Sequence, residues 1–273
     1  MDALIWDNNP DAHRFAEAAV KALLASFPGV GNQNVRKDRK RQSKGPSVLE
    51  IGCGTGVFSL RLLPYVGSIL AVDVSHPMIQ VLRLKIAEMC NPTERKHIAP
   101  LCLSVEDPED PALPPGQGGK RKKFDLVTGH LLLHHVADHK ALLETMFGCL
   151  KPGGRLALTD FADFGPEARL FHPEGKMGDV EHDQGVNPKA IEKLMRQVGF
   201  EETNVSVAWT SEKEVERFPG EWGPKGLQKP ESVRTMEFSF VLCSGRKPKD
   251  SSKYSDYSSG SEPVFYHDRT RTQ

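Results

Sequence analysis

The chain reads as one α/β domain: a mostly parallel sheet with helices on both faces and an antiparallel hairpin at its C-terminal edge. Three observations carry this. Strand-like and helix-like segments alternate from Ser47 to Asp160, at the interval expected of βαβ units. Segments such as Ser47 to Ile51 are apolar enough to be buried on both faces, as parallel strands are. Further on, Thr203 to Trp209 and Met236 to Cys243 alternate in polarity and suit an antiparallel pair.

The elements follow in order. From Pro10 to Phe27 the residues Phe15, Ala18, Ala19, Ala22 and Leu23 recur at helical spacing, with Asn9-Pro10 as cap and first-turn proline. Residues 28–47 form a polar, basic loop carrying Arg36, Lys37, Arg39, Lys40, Arg41 and Lys44. Strands are expected at Ser47 to Ile51, Ile69 to Val72, Pro100 to Leu103, Phe124 to Thr128 and Arg155 to Asp160. Helices are expected from Val57, over Pro77 to Met89 and over Lys140 to Leu150. The stretch 161–187 is too long and irregular for an ordinary connection and is a candidate lid. Lys189 to Val198 is amphipathic and stops at Gly199, the usual C-terminal position. The domain thus spans 48–246, and 247–273 has the composition of a disordered tail.

Composition narrows the function. With 273 residues there is room for one sizeable domain. Lys plus Arg and Asp plus Glu both number 36, so the overall charge gives no reason to expect a nucleic-acid partner. Five scattered cysteines without a CxxC pair fit a reducing compartment better than a disulfide framework. The N-terminus resembles no targeting signal, and no stretch approaches the ~18 apolar residues of a membrane span. A cytoplasmic protein is expected, with the basic loop leaving nuclear import as the lesser alternative.

The chemistry concentrates after the first strand. Val48-Leu49-Glu50-Ile51-Gly52-Cys53-Gly54-Thr55-Gly56 is a strand running into a glycine turn and then a helix. Such a turn brings backbone close to a ligand, and the helix start offers free N–H groups to an anion. A dinucleotide fingerprint would place a glycine at 57, where Val57 stands; here the glycines fall at 52, 54 and 56. Glu50 at the strand's end would repel a pyrophosphate and can hold an ammonium. Asp73 closes the second strand, where an acid can accept both hydroxyls of a ribose.

Glu50 to Gly56, Asp73, Phe124 to His135 and Leu150-Lys151-Pro152-Gly153-Gly154-Arg155 resemble, in order, the motifs of class I S-adenosylmethionine-dependent methyltransferases. The similarity runs over roughly residues 5 to 245, toward the small-molecule branch that includes ubiquinone-pathway enzymes. It implies a Rossmann-like sheet and S-adenosylmethionine as cofactor. Gly52, Cys53, Gly54 and Gly56 would meet the methionine and ribose portion, with Asp73 on the ribose hydroxyls and Val74 or Met78 beside the adenine. In the stretch Ser104-Val105-Glu106-Asp107, where many relatives have Gly-Asp-Ala, one of Ser104, Glu106 or Asp107 would address the adenine amino group. Gly129 and His130 would line the methionine end. Residues 1–27 would cap the cofactor site, with Trp6 either closing over the cofactor or anchoring the core.

The histidines leave alternatives. In Leu133-His134-His135-Val136, His135 reads as a packed, hydrogen-bonded residue and His134 as the one facing the substrate. His172 and His182 lie in the candidate lid, and the latter, between Glu181 and Asp183, can serve as a base. A metal set of His134, His135 and His139 lacks the carboxylates a hard cation needs, so no metal is expected. Phe161 and Phe171 are candidates for an apolar acceptor wall. The leading reading is methyl transfer to a small molecule by in-line displacement. The alternatives are an RNA or protein methyltransferase, which the basic loops keep open, and a partner subunit without turnover.

Overall fold

In the computed structural model, residues 3–27 and 45–249 are described. The basic residues 36–44 and the tail from residue 250 lie outside them. A short helix α1 (Ala3–Asp7) precedes α2 (Pro10–Ser26), whose cap is Asn9 accepting from the Asp11 N–H. Then come β1 (Ser47–Ile51), α3 (Val57–Leu62), β2 (Ser68–Asp73), α4 (His76–Met89), β3 (Ile98–Cys102), β4 (Phe124–His130) and α5 (His139–Cys149). β5 (Leu150–Phe161), α6 (Pro188–Val198), β6 (Glu201–Val215) and β7 (Arg234–Arg246) complete the chain.

The seven strands form one sheet in the order β3-β2-β1-β4-β5-β7-β6. The first five are mutually parallel, β7 runs antiparallel to β5, and β6 antiparallel to β7. The expected hairpin edge is present, and longer than its alternating cores. Its ladder runs on through Lys247, whose N–H donates to Gly154 and whose ammonium donates to the Phe147 and Leu150 carbonyls. Residues 247–249 are therefore fastened to the sheet, which moves the expected start of the tail back.

Strand parity sorts the core. Val48, Ile69, Ala71 and Leu126 meet α2, α3 and α4 through Leu23, Leu62 and Leu82. Leu49, Leu70, Val72 and Val127 face the other way, onto Leu143 of α5 and Met195 of α6. Successive residues of one strand thus bury against different helical layers, which is why runs such as Val48-Leu49 and Ile69 to Val72 are apolar without alternation. A third cluster, Phe15, Phe161, Phe171, Phe238 and Phe240, fills the end of the sheet near the strand C-termini of β4 and β5.

Two features position the site. β1 connects outward to β2 on one side while β4 lies on the other, so the chain reverses direction across the sheet at the C-terminal ends of β1 and β4. A crevice opens at such a switch point. The N-terminal segment is then fastened over it by polar contacts. Lys85 of α4 pairs with Asp7 at 2.5 Å, and His13 Nε2 donates to the Asp7 carbonyl at 2.6 Å. With Nε2 carrying the proton, His13 Nδ1 accepts from Arg61 of α3 at 2.8 Å.

The irregular stretch 161–187 is stapled rather than loose. A parallel bridge joins Ala162 to Val186, and the His134 carbonyl accepts from the Glu181 and His182 N–H groups, both at 3.0 Å. Within it lie two 3-10 turns, Pro166–Phe171 and Glu174–Asp179. Buried Glu216, just after β6, accepts from the backbone N–H groups of Glu174, Gly220 and Trp222, tying this stretch to the β6–β7 connection. Buried charge acting as a local scaffold leaves no periodic signal in sequence.

Candidate active site

The strand ends enclose a cavity of about 850 Å³, within the range of small-molecule sites. One end is built by the glycine turn. Gly52, Gly54 and Gly56 have φ values of 72°, 52° and 76°, the left-handed region that glycine adopts without strain. They do different work. A Cβ on Gly54 would stand in the gap below Trp6, 3.7 Å from its Nε1, so the missing side chain is what leaves a cradle. A Cβ on Gly52 would strike Leu132 Cδ1 at 2.8 Å, and one on Gly56 would collide with Leu82.

Asp73 braces this turn. Its Oδ2 accepts from the Gly54 N–H at 2.7 Å and its Oδ1 from the Ser75 N–H at 2.8 Å. Each carboxylate oxygen retains a lone pair for a hydroxyl. Glu50 is buried, and Ser59 donates to its Oε2 at 2.6 Å. Burial pushes the Glu50 carboxyl up to about 8, against the lowering effect of the Ser59 hydrogen bond and with Asp73 adding to the rise. A buried acid in this condition gains most from a cation placed beside it. Val74, Met78 and Leu103 add an apolar wall on the β2–β3 side. Ser104 donates to Glu106 Oε1 at 3.0 Å, and the Glu106 backbone is held by Thr145.

The other end is built by side chains from distant segments. His134 is 1% exposed, and its Nδ1 lies 2.8 Å from Oδ1 of Asp160, also buried. A carboxylate can only accept, so Nδ1 carries a proton; when the ring is neutral, Nε2 is the bare nitrogen. Burial pushes Asp160 up, but the His134 imidazole outweighs it, helped by the His134 and Phe161 N–H groups, and holds the carboxyl below its ordinary value. His172 stands with its ring centroid 5.0 Å from that of His134. Burial first, then the neighbouring His134 and His135, push its imidazole well below the usual histidine range. His130 stacks on Phe58 at 5.4 Å and meets Thr159 Oγ1 at 2.9 Å. Burial takes it down to about 4, so it is neutral at physiological pH. The Nε2 atoms of His130, His134 and His172 are all buried without a hydrogen-bond partner. Between these rings Leu131 holds φ = 53°, a left-handed conformation unusual for a branched side chain, at the β4 exit.

Most sequence-predicted residues converge here. Glu50, Gly52, Cys53, Gly54, Asp73, Val74, Met78, Ser104, Val105, Glu106, His130 and His134 all line the cavity. Two glycines do not. Gly56 turns its open side to Leu82, and Gly129 is packed between the Ile51 carbonyl and Leu132, so both serve close backbone packing. His182 is also off the cavity: its ring stacks on His139 at 4.3 Å and its Nε2 donates to the Val136 carbonyl at 3.1 Å. Both histidines of the pair line the cavity: His134 is buried and hydrogen-bonded to Asp160 on the adjacent strand, and His135 is half-buried. Phe171 lines the cavity, while Phe161 supports it from behind, stacked at 4.1 Å. Asp160 itself went unnoticed in sequence, where it reads only as the end of a strand.

A switch-point cavity with a glycine cradle, an acid near the end of β1 and another at the end of β2 is the arrangement of class I S-adenosylmethionine-dependent methyltransferases. The family described as a methyltransferase domain matches residues 13–206, and the chain belongs to it. An uncharacterized methyltransferase of Schizosaccharomyces pombe is 29% identical over 218 residues, covering 76% of this chain and 74% of that protein. The ubiquinone biosynthesis O-methyltransferase of Pseudomonas fluorescens is 27% identical over 134 residues, 49% of this chain and 52% of its own. Among solved structures, a putative methyltransferase from Bacillus halodurans superposes with a TM-score of 0.54 at 17% identity, over 78% of this chain and 99% of that one. Magnesium protoporphyrin IX methyltransferase from Synechocystis gives 0.51 at 17% identity, over 85% and 82%. Among the described residues no helix is long and apolar enough to cross a membrane.

Proposed function

We propose that the chain transfers a methyl group from S-adenosylmethionine to a small-molecule acceptor bound at the His134 end of the same cavity. The observation that carries this is the continuity of that space: one cavity joins the Glu50–Gly54–Asp73 cradle to the wall of Leu131, His135, Phe171 and His172. The donor end fits an adenosyl amino acid. Asp73 has capacity for ribose hydroxyls, the apolar Val74 and Met78 suit a base, and buried Glu50 suits the ammonium. When bound, the sulfonium supplies an electrophilic methyl carbon.

The chain's contribution is alignment and exclusion of water. Trp6, fastened from α1 by the Lys85–Asp7 pair, covers the cradle. Phe171, brought by the stapled stretch 161–187, closes the acceptor end, as a lid would. A mostly apolar cavity of about 850 Å³ suits a small acceptor better than a nucleic-acid or protein chain. The similarity to enzymes named for ubiquinone and menaquinone biosynthesis points the same way.

Titration calorimetry with S-adenosylmethionine and S-adenosylhomocysteine tests the donor, and a donor-consumption screen over phenols, thiols, amines and quinone precursors tests the acceptor. Binding of both cofactor forms and turnover of a small molecule are expected. No binding at millimolar cofactor, or transfer of labelled methyl only into RNA or protein, would sink the proposal.

A further inference from the structure

We infer that His134, oriented by Asp160, is the general base of the transfer, and that the acceptor group is a hydroxyl, of a phenol or a comparably acidic alcohol. This rests on the methyl-transfer reading and names the atom that is methylated.

The geometry is that of an oriented imidazole. Asp160 Oδ1 receives the Nδ1 proton at 2.8 Å, and Asp160 Oδ2 accepts from the His134 N–H at 3.2 Å, so ring and backbone are held by one carboxylate. The His134 carbonyl is pinned by two N–H groups from the stretch 161–187. His134 lines the cavity, and its other ring nitrogen, Nε2, is buried there without a partner. A buried nitrogen without a partner costs about 1–3 kcal/mol. An acceptor O–H entering the cavity supplies that missing partner.

The surroundings suit a proton arriving at Nε2. The groups that face His134 are Asp160 from β5, His135 from its own turn, His172 from the stretch 161–187 and, further off, His130 from β4. His172 is itself crowded by Lys213 and Lys176, which oppose its protonation after burial and its two neighbouring histidines. With His130 and His172 held neutral, Asp160 is the charge in direct contact with which an imidazolium at 134 forms. Phe161 at 5.1 Å and Phe171 at 6.3 Å keep the pair in an apolar setting, where that attraction is strong.

The step balances. The acceptor's O–H bond breaks and its proton passes to His134 Nε2. An oxygen electron pair forms the new bond to the methyl carbon. The carbon–sulfur bond breaks with its electrons left on sulfur, giving S-adenosylhomocysteine. Asp160 stays ionised and is a positioning residue: it holds the tautomer and steadies the imidazolium. A thiol largely ionised at neutral pH, or a stabilised carbanion, needs no such base.

The test compares the full chain with His134→Gln and Asp160→Asn. Calorimetry with S-adenosylhomocysteine comes first; absent binding in the unaltered chain would sink the methyl-transfer reading and this inference with it. Rates are then measured with a phenol panel including catechol, and with thiophenol and aniline, across pH. Phenols are expected to be methylated, with a kcat that falls on the acid side. In His134→Gln, kcat toward phenols should drop about 100-fold or more, with cofactor affinity within about threefold and the acid limb gone. Asp160→Asn should lose kcat rather than KM and displace that limb. Phenol turnover within about threefold in His134→Gln, or methylation of thiophenol or aniline alone, would overturn the inference. Nitrogen-15 histidine spectra of the unaltered chain give a reading that needs neither turnover nor variants. A protonated Nδ1 and bare Nε2 at His134 are expected; the opposite tautomer would refute the assignment.

Discussion

At the Asp73 end of the cavity a glycine turn of one short segment sets the shape; at the His134 end side chains from distant segments do. The first is assembled by residues 50–56 and 73–75, contiguous segments at the ends of neighbouring strands, joined by the Gly54–Asp73 hydrogen bond. The second needs β4, β5, the turn at 133–135 and the stretch 161–187 to meet before its Asp160–His134–His172 cluster exists. A backbone-built end depends on a few residues that have no side chain. A side-chain-built end tolerates more change in any one segment, and its chemistry depends on how distant segments pack.

Three substitutions press on this contrast, from the largest effect to the smallest. Gly56→Val should be the most damaging. It combines a β-branched residue at φ = 76° with a collision against Leu82 of α4. A loss of several kcal/mol is expected, read as a collapse of the thermal midpoint or of soluble yield. A near-normal midpoint would mean the turn has room that the geometry denies.

Asp73→Ala comes next. It removes the acceptor for the Gly54 and Ser75 N–H groups, so the cradle loosens as well as losing the partner proposed for the ribose. Cofactor affinity should fall at least about tenfold, at about 1.4 kcal/mol per factor of ten. Equal affinity by calorimetry would place the ribose elsewhere.

Glu50→Gln is the subtlest, and its signature lies in pH. The fold raises the Glu50 carboxyl from its ordinary range to about 8. The folded state therefore prefers the neutral acid, and stability is lost as pH rises from the ordinary carboxyl value through about 8. Glutamine stays neutral throughout. The variant's midpoint without cofactor should therefore rise relative to the unaltered chain across that window, by up to a few kcal/mol, and level off above it. Parallel midpoint curves would show that Glu50 is ionised in the fold at no cost.

The same contrast explains what was legible in sequence. The sheet elements were, since Val48 to Ile51, Ile69 to Val72 and Phe124 to Val127 are buried on both faces and carry that in composition. The glycine turn was legible too, because its geometry comes from positive φ values within one short segment. The acceptor end was visible only as a set of histidines. His182, with Glu181 and Asp183 beside it, looked a better base than it is, because sequence neighbours are not spatial partners. The ring instead met His139 and a backbone carbonyl. Glu216, which ties the stretch carrying Phe171 to the β6–β7 connection through the Glu174 N–H, belongs to no periodic pattern and went unread.

By itself, then, the sequence determined the alternation of strands and helices, the antiparallel edge, and a glycine turn backed by Glu50 and Asp73. These rest on local backbone preference and on burial patterns of period two and 3.6, which a one-dimensional string records. Only the tertiary structure decided that Asp160 partners His134 rather than solvent, that His172 joins them while His182 turns away, and that Gly56 and Gly129 serve packing. The physical reason is that a carboxylate's partner and a ring nitrogen's solitude depend on which segments meet across the sheet.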